Sequence, residues 1–289
     1  MFVVTLIATS ALESALLESL RRQWDGTALR WLDPGRAAEF AIPQAPADLD
    51  AVGSELRGSG IDMALLPAEN RRKRLLLADM DSTMIDQECI DELADEAGVG
   101  AHVAAITQRA MNGELDFDEA LTERVALLKG LPQSVIEDVL RTRITMAPGG
   151  ATLVATMRAN GGYAALVSGG FVSFTGAVAR RLGFDEDRAN VLLTQDGALT
   201  GQVARPILGR EAKVQALHQI AAARGLTPTD AIAVGDGAND LDMLAAAGIG
   251  VALHAKPVVA ERARVRIDHV DLTALLFLQG YTAAEFVTP

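Results

Sequence analysis

The chain has 289 residues, 49% of them hydrophobic, so it can bury a sizeable core, and its length allows about two domains. With 38 acidic against 26 basic residues the formal charge is −12, which disfavours nucleic acid as a partner but leaves room for an anionic small substrate drawn in by a local cation. Cys89 is the only cysteine, no basic stretch precedes the apolar run Phe2 to Ile7, and no apolar run reaches the roughly 18 residues of a membrane span, so a cytoplasmic protein without membrane contact is expected.

Residues 1–68 read as a separate unit. Phe2 to Ala8 predicts a strand, Ala11 to Gln23 a helix, Ala28 to Leu32 and Ala37 to Ile42 two strands, Leu49 to Arg57 a helix and Ile61 to Leu66 a strand. The turn Asp33-Pro34-Gly35 separates the middle strands. This βαββαβ order resembles a ferredoxin-like, ACT-type module. Ala8-Thr9-Ser10-Ala11 stands where such modules often carry a glycine loop for an amino acid, so packing or homodimer formation is the expected role. The basic run Arg71-Arg72-Lys73-Arg74 then reads as a solvated junction, with anion binding as the alternative.

Residues 69–289 open on Leu75-Leu76-Leu77-Ala78-Asp79-Met80-Asp81-Ser82-Thr83. A short, wholly apolar run predicts a strand buried on both faces, and Asp79 and Asp81 arrive where it ends. Open α/β sheets bind ligands outside the carboxyl ends of their strands, and two adjacent carboxylates need a proton or a cation to coexist. Taken alone, the string reads sooner as an Asp-Ser turn capping the next helix, until matching motifs follow. A helical insertion follows, at about 88–145, with periodicity in Ile90-Leu93-Ala94-Ala97, Val103-Ile106-Ala110 and Phe117-Leu121-Val125-Leu128 and breaks at Gly98, Gly113 and Gly130-Leu131-Pro132. Four short helices placed after a strand end would sit over the rim as a lid.

The α/β pattern resumes near Pro148. Strand patterns end at Ser168-Gly169-Gly170 and at Gly235-Asp236-Gly237-Ala238-Asn239-Asp240, with Lys213 at the start of a helix between them. Asp196-Gly197 between apolar flanks signals a hairpin, and a strand over Ile249 to Leu253 completes the alternation. Three strand ends therefore converge on one rim.

Four motifs of this type and order resemble the haloacid dehalogenase (HAD) superfamily and, within it, the phosphoserine phosphatase family, over residues 75–281. The resemblance implies a Rossmann-like core with a parallel sheet and a helical cap, hydrolysing O-phospho-L-serine through an aspartyl phosphate in the last step of serine biosynthesis. It implies Asp79 as nucleophile and Asp81 as acid and base. Mg2+ would be held by Asp79, Asp236 and the backbone carbonyl of Asp81, supported by Asp240. Ser168, Gly169, Lys213 and Asn239 would bind the phosphate side, while Glu88 would meet the substrate ammonium and Arg124 its carboxylate. Met111 and Phe117 match apolar cap residues, though core packing explains both equally well. The four histidines receive no role. A phosphotransferase using an alcohol acceptor, or a sensor without turnover, stays open at this level.

Overall fold

The computed structural model describes residues 1–111 and 114–289, with the side chain of Met111 outside the description. The expected functions of Met111 as a cap residue and of Gly113 as a helix break therefore lie outside the described residues.

The first seventy residues form β1 (Phe2–Ala8), α1 (Ser14–Gln23), β2 (Arg30–Asp33), β3 (Ala37–Ile42), α2 (Leu49–Gly58) and β4 (Ile61–Pro67). The sheet order is β2-β3-β1-β4 with antiparallel pairing throughout, the ferredoxin-like arrangement expected from the sequence. Two boundaries differ by more than one residue. β2 starts at Arg30, two residues late, with the Thr27 N–H donating to Ala41 O before the strand begins, and α1 starts at Ser14, with Leu12 N–H taken by Gly35 O.

Successive strand residues face opposite ways, and in β1 this sorts the side chains between two layers. Val4, Leu6 and Ala8 join Leu17, Leu20 and Phe40 under the two helices. Ile7, Leu32, Ala37, Ala64 and Leu66 instead share a core with the rest of the chain, so the sheet is covered on both faces.

The remainder runs β5 (Leu75–Ala78), α3 (Cys89–Glu96), α4 (Gly100–Met111), α5 (Phe117–Ala126), α6 (Ser134–Thr142), α7 (Gly150–Ala159), β6 (Tyr163–Phe171), α8 (Val172–Leu182) and β7 (Glu186–Asn190). It continues with β8 (Leu192–Gln195), β9 (Ala198–Val203), α9 (Arg210–Ala223), β10 (Ala231–Gly235), α10 (Leu241–Ala246), β11 (Ile249–Leu253), α11 (Pro257–Ala260), β12 (Val265–Ile267) and α12 (Ala274–Leu278). Six strands form one parallel sheet, β12-β11-β10-β5-β6-β7, and β8 and β9 form the expected hairpin. Asp196 and Gly197 both have positive φ, as the two central residues of a primed hairpin turn require.

All four side chains of β5 are fully buried, Leu76 and Ala78 on one face and Leu75 and Leu77 on the other. The chain leaves β5 toward β6 on one side and returns to β10 on the other, so strand order reverses at β5 and opens a crevice there. α3 to α6 lie over this end, and no helix among the described residues is long and apolar enough to cross a membrane.

The basic run is not a solvated junction. Arg71 Nη2 donates to Glu39 Oε2 at 2.7 Å and its Nε to Leu278 O at 3.1 Å, Lys73 Nζ donates to Thr229 O at 2.8 Å, and Arg72 stacks over Tyr281 while pairing with Glu285. Arg71 is largely buried because the first sheet docks where the sequence pattern alone would place water, and Lys73 is buried against Thr229 and Gln279.

Candidate active site

The β5 ladder continues one residue past the strand, where Asp79 N–H donates to Val234 O at 3.0 Å, so the Asp79 carboxylate stands at the crevice, 5% exposed. The chain then turns sharply. Ser82 sits in the left-handed region at φ 55°, and Thr83, Met84 and Ile85 all donate back to Met80 O. The turn gives the Asp81 carboxylate partners of its own: Oδ1 accepts from Cys89 N–H at 2.8 Å, at the start of α3, and Oδ2 from the Ser168 hydroxyl at 3.2 Å. Burial, followed by the nearby charge of Asp79, raises the Asp81 carboxyl to about 6. A Cβ at Gly170 would lie 2.7 Å from Asp81 Oδ2, so the glycine is a requirement of this packing.

Lys213, fully buried in the first turns of α9, lies beneath the cavity floor. Its Nζ is 2.7 Å from both Asp79 Oδ1 and Asp240 Oδ1. Burial opposes its charge, but Asp240 and Asp79 outweigh that cost and hold the proton on the lysine. Asp240 is saturated, since its Oδ2 also accepts from Gly237 N–H at 3.1 Å. Asp236 leaves β10 at the level of Asp79. Burial and the Asp79 charge raise its carboxyl, and its nearest partners are distant, Thr83 Oγ1 at 3.4 Å and Lys256 Nζ at 3.6 Å.

One carboxylate oxygen each from Asp79, Asp236 and Asp240 lies within 4.8 Å of the others. Three buried carboxylates face one buried ammonium, and among the described residues Asp79 Oδ1 has no aligned hydrogen-bond donor despite the nearby lysine. Such a surplus of enclosed oxygen and negative charge fits a hard divalent cation.

The lid supplies the other wall. A reciprocal capping box between Asp116 and Glu119 starts α5 one residue before Phe117, and Phe117, Leu121 and Arg124 then recur on one helical face lining the cavity. The ring of Phe117 sits against Gly169 and Gly209, where a Cβ would come within 3.0 and 3.1 Å of it. Arg124 makes one hydrogen bond among the described residues, Nε to Ala120 O, leaving its outer donors open to the cavity, and burial lowers its pKa. Glu88 accepts from the Ser82 hydroxyl at 2.8 Å; burial and then the Asp81 charge raise it to about 7.

The cavity encloses about 110 Å³. Asp79, Asp81, Glu88, Arg124, Ser168, Gly169, Asp236 and Asn239 all line it, and Lys213 reaches it through Asp79, so the structure brings these residues expected from sequence together. Two contributors escaped that reading. Gly170 was visible only as the second glycine of a pair, and Lys256 lay outside the four motifs.

Residues 76–245 match the profile of the haloacid dehalogenase-like hydrolases. The phosphoserine phosphatase of Streptomyces coelicolor is 43% identical over 256 residues, which cover 87% of this chain and 62% of that protein, so the chain spans less than two thirds of this relative. A HAD family hydrolase from Salmonella enterica superposes with a TM-score of 0.88 at 32% identity, covering 96% of this chain and 98% of that one. A phosphoserine phosphatase solved as a phospho-aspartyl intermediate analogue gives 0.67 at 41% identity, covering 71% and 98%.

Proposed function

The chain belongs to the haloacid dehalogenase-like hydrolase family, and from that premise we propose that it is a Mg2+-dependent phosphoserine phosphatase, releasing L-serine and phosphate from O-phospho-L-serine in the cytoplasm. The observation that carries this reading is the division of labour between two carboxylates one residue apart. Asp79 stands at the crevice beside a buried ammonium, and Asp81 is held by Cys89 N–H and the Ser168 hydroxyl with its carboxyl raised to about 6.

Asp79 is the nucleophile. A carboxylate forms an acyl phosphate without a base to activate it, and Lys213 offsets the charge of Asp79 and Asp240 as a phosphate dianion approaches. As the bond from phosphorus to the serine oxygen breaks, Asp81 supplies the proton that oxygen takes, and its ionised form then accepts a proton from the water that cleaves the phosphoaspartate. A carboxyl near 6 reaches both states at neutral pH, and an incoming phosphate pushes it further toward the acid form. Ser168 and the Gly169 amide serve the phosphate oxygens, with Asn239 beside them on the cavity wall. Mg2+, held by Asp79, Asp236 and the Asp81 carbonyl, would neutralise phosphoryl charge as a Lewis acid when bound.

Specificity rests on Glu88 for the ammonium and on Arg124, whose open donors suit a carboxylate. Residues 1–68 form an ACT-like module and residues 69–289 the catalytic part, with the cap at about 88–145. Packing against the catalytic half, which covers the outer face of the module's sheet, supports a structural role for it. The deciding experiment measures phosphate release with Mg2+ from a panel of phosphorylated small molecules. O-phosphoserine should lead the panel in kcat/KM, and a different leader would displace the substrate assignment.

A further inference from the structure

Of the cations around the cavity, Lys213 is fully buried and Arg124 partly so, whereas the Lys256 side chain is half exposed at the core-side rim. Its backbone is fixed: the N–H donates to Asp236 O at 3.2 Å, Pro257 follows, and the Lys256 carbonyl accepts from Val259 and Ala260. The ammonium is not. It lies 3.6 Å from Asp236 Oδ2, an ion pair too long for a hydrogen bond, at the end of a four-carbon stem. Its field reaches Asp236 on the core side and Glu88 and Asp91 on the lid side, so it faces the gap between the two walls. Carboxyl groups outnumber cations on the lining, Asp79, Asp81, Glu88 and Asp236 against Arg124 and Lys256, in a protein of formal charge −12.

We propose that Lys256 captures the phosphate group of the substrate at the mouth of the cavity and guides it past Asp236, holding product phosphate in the same way as it leaves. This rests on the phosphomonoesterase reading and adds a specificity-determining contact to it. A tethered but mobile ammonium suits the task, because it can exchange a loose carboxylate partner for a phosphate oxygen without any backbone change. Arg124 cannot substitute, being set deeper and on the opposite wall.

The test compares wild type, Lys256→Gln and Lys256→Arg with O-phosphoserine and saturating Mg2+ at low and high ionic strength. Binding of inorganic phosphate to each protein is measured by calorimetry under the same conditions. In low salt, Lys256→Gln should lower kcat/KM about tenfold, through KM rather than kcat, with the gap closing as salt screens the field. Phosphate should bind it more weakly by a similar factor, and Lys256→Arg should recover most of both losses. The proposal falls if Lys256→Gln keeps the wild-type kcat/KM and phosphate affinity. It falls equally if the loss lies in kcat alone, or if only the Mg2+ requirement rises, which would make Lys256 a partner of Asp236 and nothing more. Should wild type release no phosphate from O-phosphoserine, the substrate reading fails by itself, and the phosphate-binding arm still decides for or against Lys256.

Discussion

Two regions of this molecule bury charge, and they do so on opposite terms. Where the first sheet meets the catalytic half, Asp62 is 1% exposed, and its two oxygens accept the backbone N–H groups of Asp268, His269 and Val270 at 2.9, 3.0 and 3.2 Å. Beside it, Glu39 takes Arg30 on one oxygen and Arg71 on the other, while Arg71 also donates to the end of α12. Each of these carboxylate oxygens has a partner. At the crevice, by contrast, three carboxylates share one buried ammonium, Asp79 Oδ1 lacks an aligned donor and Arg124 holds open donors. Buried charge is therefore no mark of function in itself. A saturated cluster holds the protein together, and an unsaturated one is completed by a ligand.

The sharpest way to break this contrast is at the proposed nucleophile. Asp79→Asn should cut phosphate release by roughly 10⁴-fold or more, the scale on which removing a covalent nucleophile acts. The thermal midpoint should hold or rise, because a like charge leaves a crowded cluster. Substantial residual turnover would remove Asp79 from the chemistry.

Chelation tests the missing charge directly. Turnover should vanish in chelator, return with Mg2+ and be inhibited by Ca2+, which prefers more ligands at longer distances. Full activity in chelator would mean that the carboxylate cluster balances itself, as the interface does.

Arg124→Ala should cost about 2–5 kcal/mol in kcat/KM for O-phosphoserine, the range for losing one member of a desolvated pair, and far less for p-nitrophenyl phosphate, which has no carboxylate. Equal losses on both substrates would make the arginine a structural residue.

The interface should answer in the other currency. Asp62→Ala strands three backbone N–H groups and should lower unfolding stability by about 2–4 kcal/mol, while kcat per folded molecule stays within twofold. A large fall in kcat at unchanged stability would join the two regions functionally. Least affected should be the exposed pair of Arg210 and Asp242, with both side chains nearly half exposed. Arg210→Ala should move stability by no more than about 0.5 kcal/mol in a denaturant titration, despite its two close contacts.

Much of the site was legible from residues alone. An apolar tetrad ending in Asp79 identifies a buried strand and its catalytic end together, because a parallel strand is apolar on both faces and ligands gather at its carboxyl end. Lys213 was readable from its place between two such ends. The role of Gly170 was not, since nothing local tells that the Asp81 carboxylate will fill the space of its missing side chain. Lys256 was hidden for a related reason: only the return of β11 beside β10 carries it to Asp236.

The first sheet shows where sequence runs out. Thr5, Glu39 and Asp62 occupy the alternate, polar positions of their strands, and alternation reports which residues share a face but not what lies against it. Read alone, the strands do not say what covers that face, and the basic run after it meets water. Docking buries all three side chains and most of Arg71, and the partners of Asp62 and Arg71 include residues more than two hundred positions away. The sequence by itself determined the elements, their order and the chemistry at the strand ends, because those depend on near neighbours and on a periodicity of two or 3.6 residues. Only the tertiary structure decided which buried charges were saturated and which were left for a ligand, because saturation depends on partners that no local pattern encodes.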